Sequence, residues 1–223
     1  MFNYRYGIYV VFLLSVWSGL AYTAQTHAQT ACDMKGLTTG PLTDTSKTFI
    51  RAGNGQWGAP RGEGKTHQGV DIVVNASHSE NQPYAVFPVA NGTVAYARLN
   101  GSETSGFGNL IVVDHGNGCY SLYAHLAGKP FTPMKAGGNL LRQVGDPVDT
   151  TDLLGYFVDI QADVDSSGNA QKTASEARHQ VHFAFIQAPS GRRSKTSLSD
   201  LLKSDGTIID PTPYLLSKGY KVR

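Results

Sequence analysis

The residues in this chain best suited to chemistry are His67 and Asp71, which lie four positions apart with Gly69 between them. His182 follows far downstream. Two imidazoles and one carboxylate can hold zinc while a fourth coordination position stays open for water. Four residues of straight strand span roughly 13 Å, too far to share one ion, so the chain must bend between the two ligands. Gly69 can adopt backbone conformations that other residues avoid, and is placed to make that bend. The alternative is that His67 and Asp71 are unrelated polar residues at the entrance of a strand.

The N-terminal segment has the features of a secretory signal peptide. Arg5 is the only formally charged residue before Asp33, and an apolar run covers residues 8–20. Thr26 and Ala28 supply the small residues of a cleavage site, so we predict cleavage after Ala28 and a secreted or periplasmic mature chain. The apolar run is shorter than the roughly 20 residues that a membrane span needs, so no stable span is expected after processing. A retained N-terminal anchor is the alternative.

Length and composition restrict the class of protein. Removal of residues 1–28 from the 223 leaves enough chain for one domain with a substantial core. The net charge of +2 falls to +1 because only Arg5 is lost, and this near-neutral balance argues against dedicated nucleic-acid binding. The two cysteines, Cys32 and Cys119, would lie in an oxidising compartment, where one disulfide can tie the N-terminal segment to the core.

The elements that must position these residues are predicted to be mainly β. Residues 29–65 are rich in Thr, Gly and Pro and predict an extended lead-in. Short β-branched runs then alternate with Gly and Asn turns, the pattern of an antiparallel sheet, and residues 114–118 are typical of a hairpin turn. Residues 159–177 predict a surface loop, and residues 198–203 a short helix. The predicted strands are 70–74, 85–89, 92–98, 110–113, 119–125 and 181–187, with shorter ones at 142–148 and 153–156.

Several short motifs follow one another in a defined order. They are His-x-Gly-Val-Asp at 67–71, Tyr-Ala-His-Leu at 123–126, Val-Gly-Asp-Pro-Val at 144–148, Leu-Gly-Tyr at 154–156, Val-His-Phe at 181–183 and Asp-Pro-Thr-Pro-Tyr at 210–214. This order resembles the LytM/lysostaphin-type zinc metallopeptidases, the M23 peptidoglycan endopeptidases. The resemblance implies a compact antiparallel β-sheet domain of the duplicated hybrid motif type, with a narrow groove for one zinc ion. It also implies a monomeric enzyme that cuts peptide bonds in peptidoglycan stem peptides or cross-bridges.

The resemblance also suggests a domain organisation. We expect a signal peptide at 1–28, an extended N-terminal segment at 29–50, the peptidase domain at 51–216 and a C-terminal tail at 217–223.

Carried over by position, the resemblance makes His67, Asp71 and His182 the zinc ligands and His125 a catalytic histidine. Strand alternation would place His125 on the same face as Ser121 and Tyr123. The alternative for His125 is a half-buried histidine that satisfies the backbone of an edge strand.

The last motif departs from the family pattern. Gln180 stands where the family has the first histidine of His-x-His-Phe, and His179 comes one position earlier. Gln180 shares a strand face with His182, and only a bulge would bring His179 to that face. A glutamine amide can donate a hydrogen bond to a developing oxyanion but cannot act as a base near neutral pH.

Two other functions therefore stay open. The first is a non-catalytic M23-like regulator or peptidoglycan-binding protein with a degenerate site, which Gln180 favours. The second is a secreted binding module with a structural zinc, although such sites usually have four protein ligands and no fourth is evident. Elsewhere in the chain, His115 and His78 are predicted to be solvated.

Overall fold

The computed structural model describes residues 32, 37, 40–41, 45–46, 48–74, 85–101, 106–127, 140–159, 179–202 and 205–223. The predicted signal peptide, His78 and nearly all of the predicted loop at 159–177 lie outside the described residues. Within the described part of the chain, no helix is long and apolar enough to span a bilayer.

Strands dominate the described residues, as the β-branched runs predict. They are β1 Thr48–Ile50, β2 Val70–Val74, β3 Ala85–Val86, β4 Gly92–Gly101, β5 Gly106–Asp114, β6 Cys119–Ala124, β7 Leu126–Ala127, β8 Pro147–Val148, β9 Gly155–Asp159, β10 His179–Gln187 and β11 Thr207–Ile209. Two short helices follow β10 in the chain, α1 Leu198–Leu202 and α2 Thr212–Ser217, and 3₁₀ turns cover Gly53–Gly55 and Gly62–Gly64.

The strands pair antiparallel in the order β1-β2-β10-β6-β5-β4-β8. β9 pairs with the start of β10 and carries β3 and β7 beside it, while β11 pairs with the end of β10. The predicted mainly β, antiparallel fold is confirmed. The predicted hairpin is also confirmed, because β5 and β6 are joined by a turn in which Gly116, Asn117 and Gly118 have φ of 81°, 51° and 78°.

Strand β10 separates two hydrophobic clusters because its residues alternate between the faces of the sheet. Phe183 and Phe185 pack in one cluster with Tyr214 of α2, whereas Ala184 and Ile186 pack in the other with α1. Both faces of β10 are therefore buried over most of its length. His182 precedes Ala184 by two residues, so the face of the second cluster continues into polar side chains towards the start of the strand.

The two ends of the described domain meet. β1, inside the predicted lead-in, pairs with β2, and Ile50 forms a parallel bridge with Val222. The amide of Ile50 donates to the carbonyl of Lys221 at 2.8 Å, and the amide of Arg223 donates to the carbonyl of Ile50 at 3.0 Å. Main-chain pairing therefore joins β1 to β2 and to residues 221–223, while the predicted boundaries at 50/51 and 216/217 stay a prediction.

Cys32 and Cys119 form a disulfide, with their Cα atoms 4.8 Å apart. Both cysteines are buried against the first hydrophobic cluster. The bond links a residue from the predicted N-terminal segment to the first residue of β6, which is the role that the sequence allows for this pair.

Candidate metal centre and groove

The candidate metal ligands come from two neighbouring strands and from the turn before them. Asp71 on β2 is the direct partner of His182 on β10, and directly opposed residues project from the same face of a sheet. His67 lies three residues before β2, and its amide donates to the carbonyl of Ala59 at 2.8 Å. This backbone bond holds His67 in a small hairpin instead of the strand, which provides the bend that the four-residue spacing requires.

Three side-chain atoms converge at this point. His67 Nε2 lies 2.9 Å from His182 Nδ1 and 3.3 Å from Asp71 Oδ1, and His182 Nδ1 lies 3.2 Å from the same oxygen. All three residues are buried. Ligands of a tetrahedral zinc ion, at roughly 2.0–2.2 Å from the metal, are roughly 3.3–3.6 Å from one another. The two separations that involve Asp71 are close to this range, and the two ring nitrogens are closer together.

The hydrogen-bond partners indicate which atoms can accept a cation. His67 Nδ1 lies 2.9 Å from the carbonyl oxygen of Gln56, which can only accept, so Nδ1 carries the proton and neutral His67 has its lone pair at Nε2. If both rings are neutral, at most one proton, on His182 Nδ1, lies between the three facing atoms His67 Nε2, His182 Nδ1 and Asp71 Oδ1. A cation between them would satisfy all three, so the donor set fits zinc, and the Gln56 carbonyl orients His67 as an outer-shell partner.

Asp71 is in the ionised form that a metal ligand needs. Burial by itself would raise the pKa of Asp71, but the interactions with the adjacent His182 and His67 rings outweigh that penalty and hold the pKa well below its usual range.

Gly69 is required for space at this centre. A Cβ atom added there would lie 2.4 Å from His182 Nε2 and 2.8 Å from the carbonyl oxygen of Phe183. A side chain at this position would therefore collide with the His182 ring and with the backbone of Phe183. The unusual backbone conformation that the sequence predicted is also present, because the φ of 159° lies in a region that residues with a side chain rarely adopt.

His125 reaches the same centre through a left-handed turn. It lies between β6 and β7 with φ of 59°, and its amide donates to the carbonyl of Phe107 at 3.0 Å. Its ring centroid is 6.0 Å from that of His182. Tyr123 packs in the first hydrophobic cluster, so unbroken alternation would have sent His125 to that side. The predicted shared face with Tyr123 is wrong, because the positive φ turns His125 towards His182. Such a conformation costs a non-glycine residue on the order of 1–3 kcal/mol and occurs preferentially at functional sites.

The environment of His125 favours its neutral form. Loss of solvent is the main reason that the pKa of His125 is lowered to about 4. At neutral pH its ring can therefore accept a hydrogen bond or a proton.

Gln180 lies two residues before His182 on β10 and shares its face. The pairing of β10 with β2 and β9 is regular from His179 onward, so the bulge that would exchange His179 for Gln180 is not present. Gln180 Oε1 is buried and has no hydrogen-bond partner among the described residues. A free acceptor therefore lies next to the three converging atoms.

These residues line one groove with a volume of about 600 Å³. Its described walls consist of Arg61, Lys65, Thr66, His67, Gln68, Asp71, Asn100, Phe107, His125, Gln180 and His182. The Phe107 ring lies 5.3 Å from the His182 ring, centroid to centroid, and contributes an apolar surface beside the polar cluster.

Comparison with known families identifies the fold. The sequence profile of peptidase family M23 matches residues 65–188, which is more than half of the chain. The chain belongs to peptidase family M23. The matched residues include the three converging side chains, His125 and Gln180. A comparison with curated protein sequences finds no match.

Solved structures resemble this M23 chain at low sequence identity. One is described as a glycyl-glycine endopeptidase LytM from Ruminococcus gnavus, with a TM-score of 0.51, 20% identity and coverage of 84% of this chain and 63% of that one. Lysostaphin from Staphylococcus simulans gives 0.44 and 21%, with coverage of 82% and 56%. A SpoIIIAH–SpoIIQ complex gives 0.45 and 15%, with coverage of 79% and 98%. The LytM match shows the fold, and this chain spans less than two thirds of the LytM and lysostaphin chains.

Sequence reasoning missed six groove residues of this M23 chain: Arg61, Lys65, Thr66, Gln68, Asn100 and Phe107. Arg61 and Lys65 lie in a polar turn whose composition gives no sign of a site. Phe107 and Asn100 come from the β4–β5 pair, and only the pairing of these long strands brings them to the groove.

Proposed function

We propose that this chain is a zinc metallopeptidase that hydrolyses peptide bonds in the stem peptides or cross-bridges of peptidoglycan. We further propose that it acts outside the cytoplasm, secreted or in the periplasm, after residues 1–28 are removed. The observation that carries the proposal is the convergence of three buried ligand atoms from His67, Asp71 and His182 next to His125 in an open groove. Membership of a peptidase family supports the reaction class.

Each metal ligand is defined by one atom. His67 Nε2, Asp71 Oδ1 and His182 Nδ1 would hold the zinc, and the Gln56 carbonyl would keep the His67 ring in the required tautomer. When bound, zinc supplies a Lewis acid that activates water and polarises the scissile carbonyl.

His125 is the proposed proton carrier. Amide hydrolysis adds a water oxygen to the carbonyl carbon, breaks the C–N bond and delivers a proton to the departing amine. Because its pKa is low, His125 is neutral before the reaction and can accept the proton of the attacking water. The same low pKa makes protonated His125 a strong acid, which favours transfer of that proton to the amine.

Gln180 is proposed to bind the reacting amide. Its side-chain N–H can donate to the developing oxyanion, and its buried Oε1 can accept from a substrate N–H. Since an amide cannot take up a proton at neutral pH, Gln180 leaves the acid–base work to His125 and a slow enzyme is expected.

The test is digestion of purified peptidoglycan by the full mature chain loaded with zinc, with mass analysis of the fragments. New amino termini at a peptide bond are expected. His125→Ala should lower the rate by on the order of 10²–10⁴-fold at unchanged zinc content, and Gln180→His should raise it. The gain will be partial, since a new histidine lacks the surrounding residues that would orient it. Unchanged hydrolysis by His125→Ala at equal zinc would remove His125 from the mechanism.

One observation favours a second function. Gln180 in place of a histidine is also expected of a regulator or peptidoglycan-binding protein that keeps the fold and metal but has lost activity. If wild type and Gln180→His both bind zinc and neither releases new amino termini, this second function replaces the first.

A further inference from the structure

One wall of the groove carries two positive charges that the peptidase mechanism does not use. Arg61 and Lys65 both line it, and Asp71 is the single acidic residue among the lining residues that the structure describes. Asp71 is engaged with His67 and His182. The part of the groove beyond the ligand cluster is therefore basic.

The backbone holds the two cations side by side. Pro60 bridges to Thr66, and the amide of Arg61 donates to the carbonyl of Lys65 at 2.8 Å. Arg61 and Lys65 thus lie opposite each other on a short antiparallel hairpin, where opposed side chains project from the same face. Two residues after Lys65, the same hairpin ends at His67. The pair is thereby fixed in position relative to the metal centre.

Neither charge is strongly neutralised. Lys65 Nζ contacts Glu63 Oε2 at 2.7 Å, but the two side chains are 72% and 81% exposed, and such surface pairs exchange at little cost. Arg61 Nη2 donates to the carbonyl oxygen of Asn54 at 2.7 Å, which orients the guanidinium without cancelling its charge. Within the described residues, no carboxylate pairs with Arg61.

We propose that Arg61 and Lys65 bind a carboxylate of the substrate, so that the groove selects acidic peptides over neutral ones. A guanidinium presents parallel N–H donors that match the two oxygens of a carboxylate, and the lysine adds a second positive charge. A neutral glycine chain offers no such partner and would cover the two cations without compensation. The inference rests on the proposed peptidase function for the identity of the ligand as a peptide.

The carboxylate can come from an acidic side chain or from a free C-terminus. A set of four short peptides separates these sources: one containing Glu, its Gln counterpart, and both with an amidated C-terminus. Binding to the zinc-loaded full chain is measured by calorimetry, and hydrolysis by release of new amines. Compared with the amidated Gln peptide, which has no carboxylate, peptides with the recognised carboxylate should have a kcat/KM higher by roughly fivefold or more. The gain should come through KM, with little change in kcat. The preference should shrink as salt is raised.

Variants assign the preference to the two residues. Arg61→Gln and Lys65→Gln should each weaken the preference for peptides with a carboxylate over the amidated Gln peptide, which has none. The double variant Arg61→Glu with Lys65→Glu should reverse it in favour of a peptide that contains Lys in place of Glu. Arg193→Gln is the matched control, because it removes an exposed arginine that is not among the described groove residues. Thermal melting confirms that each variant is folded.

The outcomes separate this inference from the proposed function. Equal binding and hydrolysis of all four peptides would overturn the carboxylate site and leave the peptidase intact. A preference that persists unchanged in both glutamine variants would also overturn it. Binding of acidic peptides that depends on Arg61, with no hydrolysis of any peptide, would support the site and overturn the peptidase.

Discussion

Among the described residues, two histidine clusters contrast with each other: each includes buried side chains, but they differ in how their polar atoms are paired. The first is the groove cluster of His67, Asp71 and His182. The second, the His115 chain, consists of His115, Ser121 and Tyr123. In the His115 chain, the amide of Val89 donates to Tyr123 Oη at 2.8 Å, the Tyr123 and Ser121 oxygens are 2.8 Å apart, and Ser121 Oγ lies 2.7 Å from His115 Nε2.

Counting protons separates the two clusters. His115 Nδ1 donates to the carbonyl oxygen of Asn91 at 2.9 Å, so neutral His115 must accept at Nε2 from Ser121. Ser121 then accepts from Tyr123, and every hydrogen in the His115 chain has one acceptor. In the groove cluster, one proton at most serves three facing atoms. A histidine with protein partners is therefore no sign of a metal by itself. Several hydrogen-bond acceptors that face one another with too few protons between them do indicate a cation site.

The comparison corrects the sequence reading of His115. That residue was predicted to be solvated, but both of its ring nitrogens have protein partners. Burial lowers the pKa of His115, although the carbonyl of Asn91 and the charge of Asp114 act against the shift. The neutral form that the chain requires is therefore favoured.

The largest expected difference between the clusters is in zinc binding. His182→Ala should remove the roughly one zinc per chain, because losing one of three ligands weakens affinity by more than the 10- to 100-fold typical of outer-shell changes. His115→Ala should keep its zinc. Elemental analysis after dialysis decides, with circular dichroism to confirm folding. A full complement of zinc in His182→Ala, or its loss in folded His115→Ala, would contradict the distinction.

A smaller effect on stability is expected from the His115 chain. Tyr123→Phe removes the oxygen that accepts from Val89 and pairs with Ser121, and should lower the free energy of unfolding by about 1–3 kcal/mol. Zinc content should not change. The measurement is urea unfolding at saturating zinc. Tyr156→Phe is the control, because Tyr156 is half-buried and is not part of the His115 chain. Equal stability of the two variants would show that the His115 chain contributes nothing specific.

The smallest effect is a dependence on pH. Because the folded-state pKa of His115 lies below the ordinary value of about 6.5, the unfolded chain takes up this proton first. The contribution of neutral His115 to stability is complete above about pH 6.5, the pKa in the unfolded chain. It is lost as the pH falls through the folded-state pKa, by at most about 1.4 kcal/mol per pH unit. His115→Ala should remove this part of the slope. The free energy of unfolding is compared between about pH 7.5 and 5.5, roughly one unit either side of the unfolded-state pKa. Both proteins also carry His182→Ala, so that zinc binding does not contribute. Parallel slopes would refute the assignment to His115.

Much of the fold could be read from local sequence. The β-branched runs of β2 and β5 and the glycine turn at 116–118 each depend on preferences of adjacent residues, so their pattern predicts strands and a hairpin directly. The ordered motifs predicted the family, which the profile match confirms. The candidate ligands were nominated by residue type and order alone.

Other features depend on contacts between distant segments. β1 is only three residues long, and main-chain bonds join it both to β2 and to the residues around Val222, which lie far from it in the sequence. Arg61 and Lys65 also depend on such contacts. A hairpin sets the two residues opposite each other, and the surrounding strands place that hairpin at the groove. Ordinary exposed cations carry no sign of this in the sequence.

The sequence by itself determined which side chains were available: two imidazoles and a carboxylate with metal-binding chemistry, a glutamine in place of a histidine, and strands to carry them. Tertiary structure alone decided that they meet. Asp71 and His182 are 111 residues apart, and the register that sets them opposite each other is fixed by pairing along the whole of β10. His125 turns towards them because its φ of 59° breaks the strand conformation, and the surrounding fold holds this strained backbone in place.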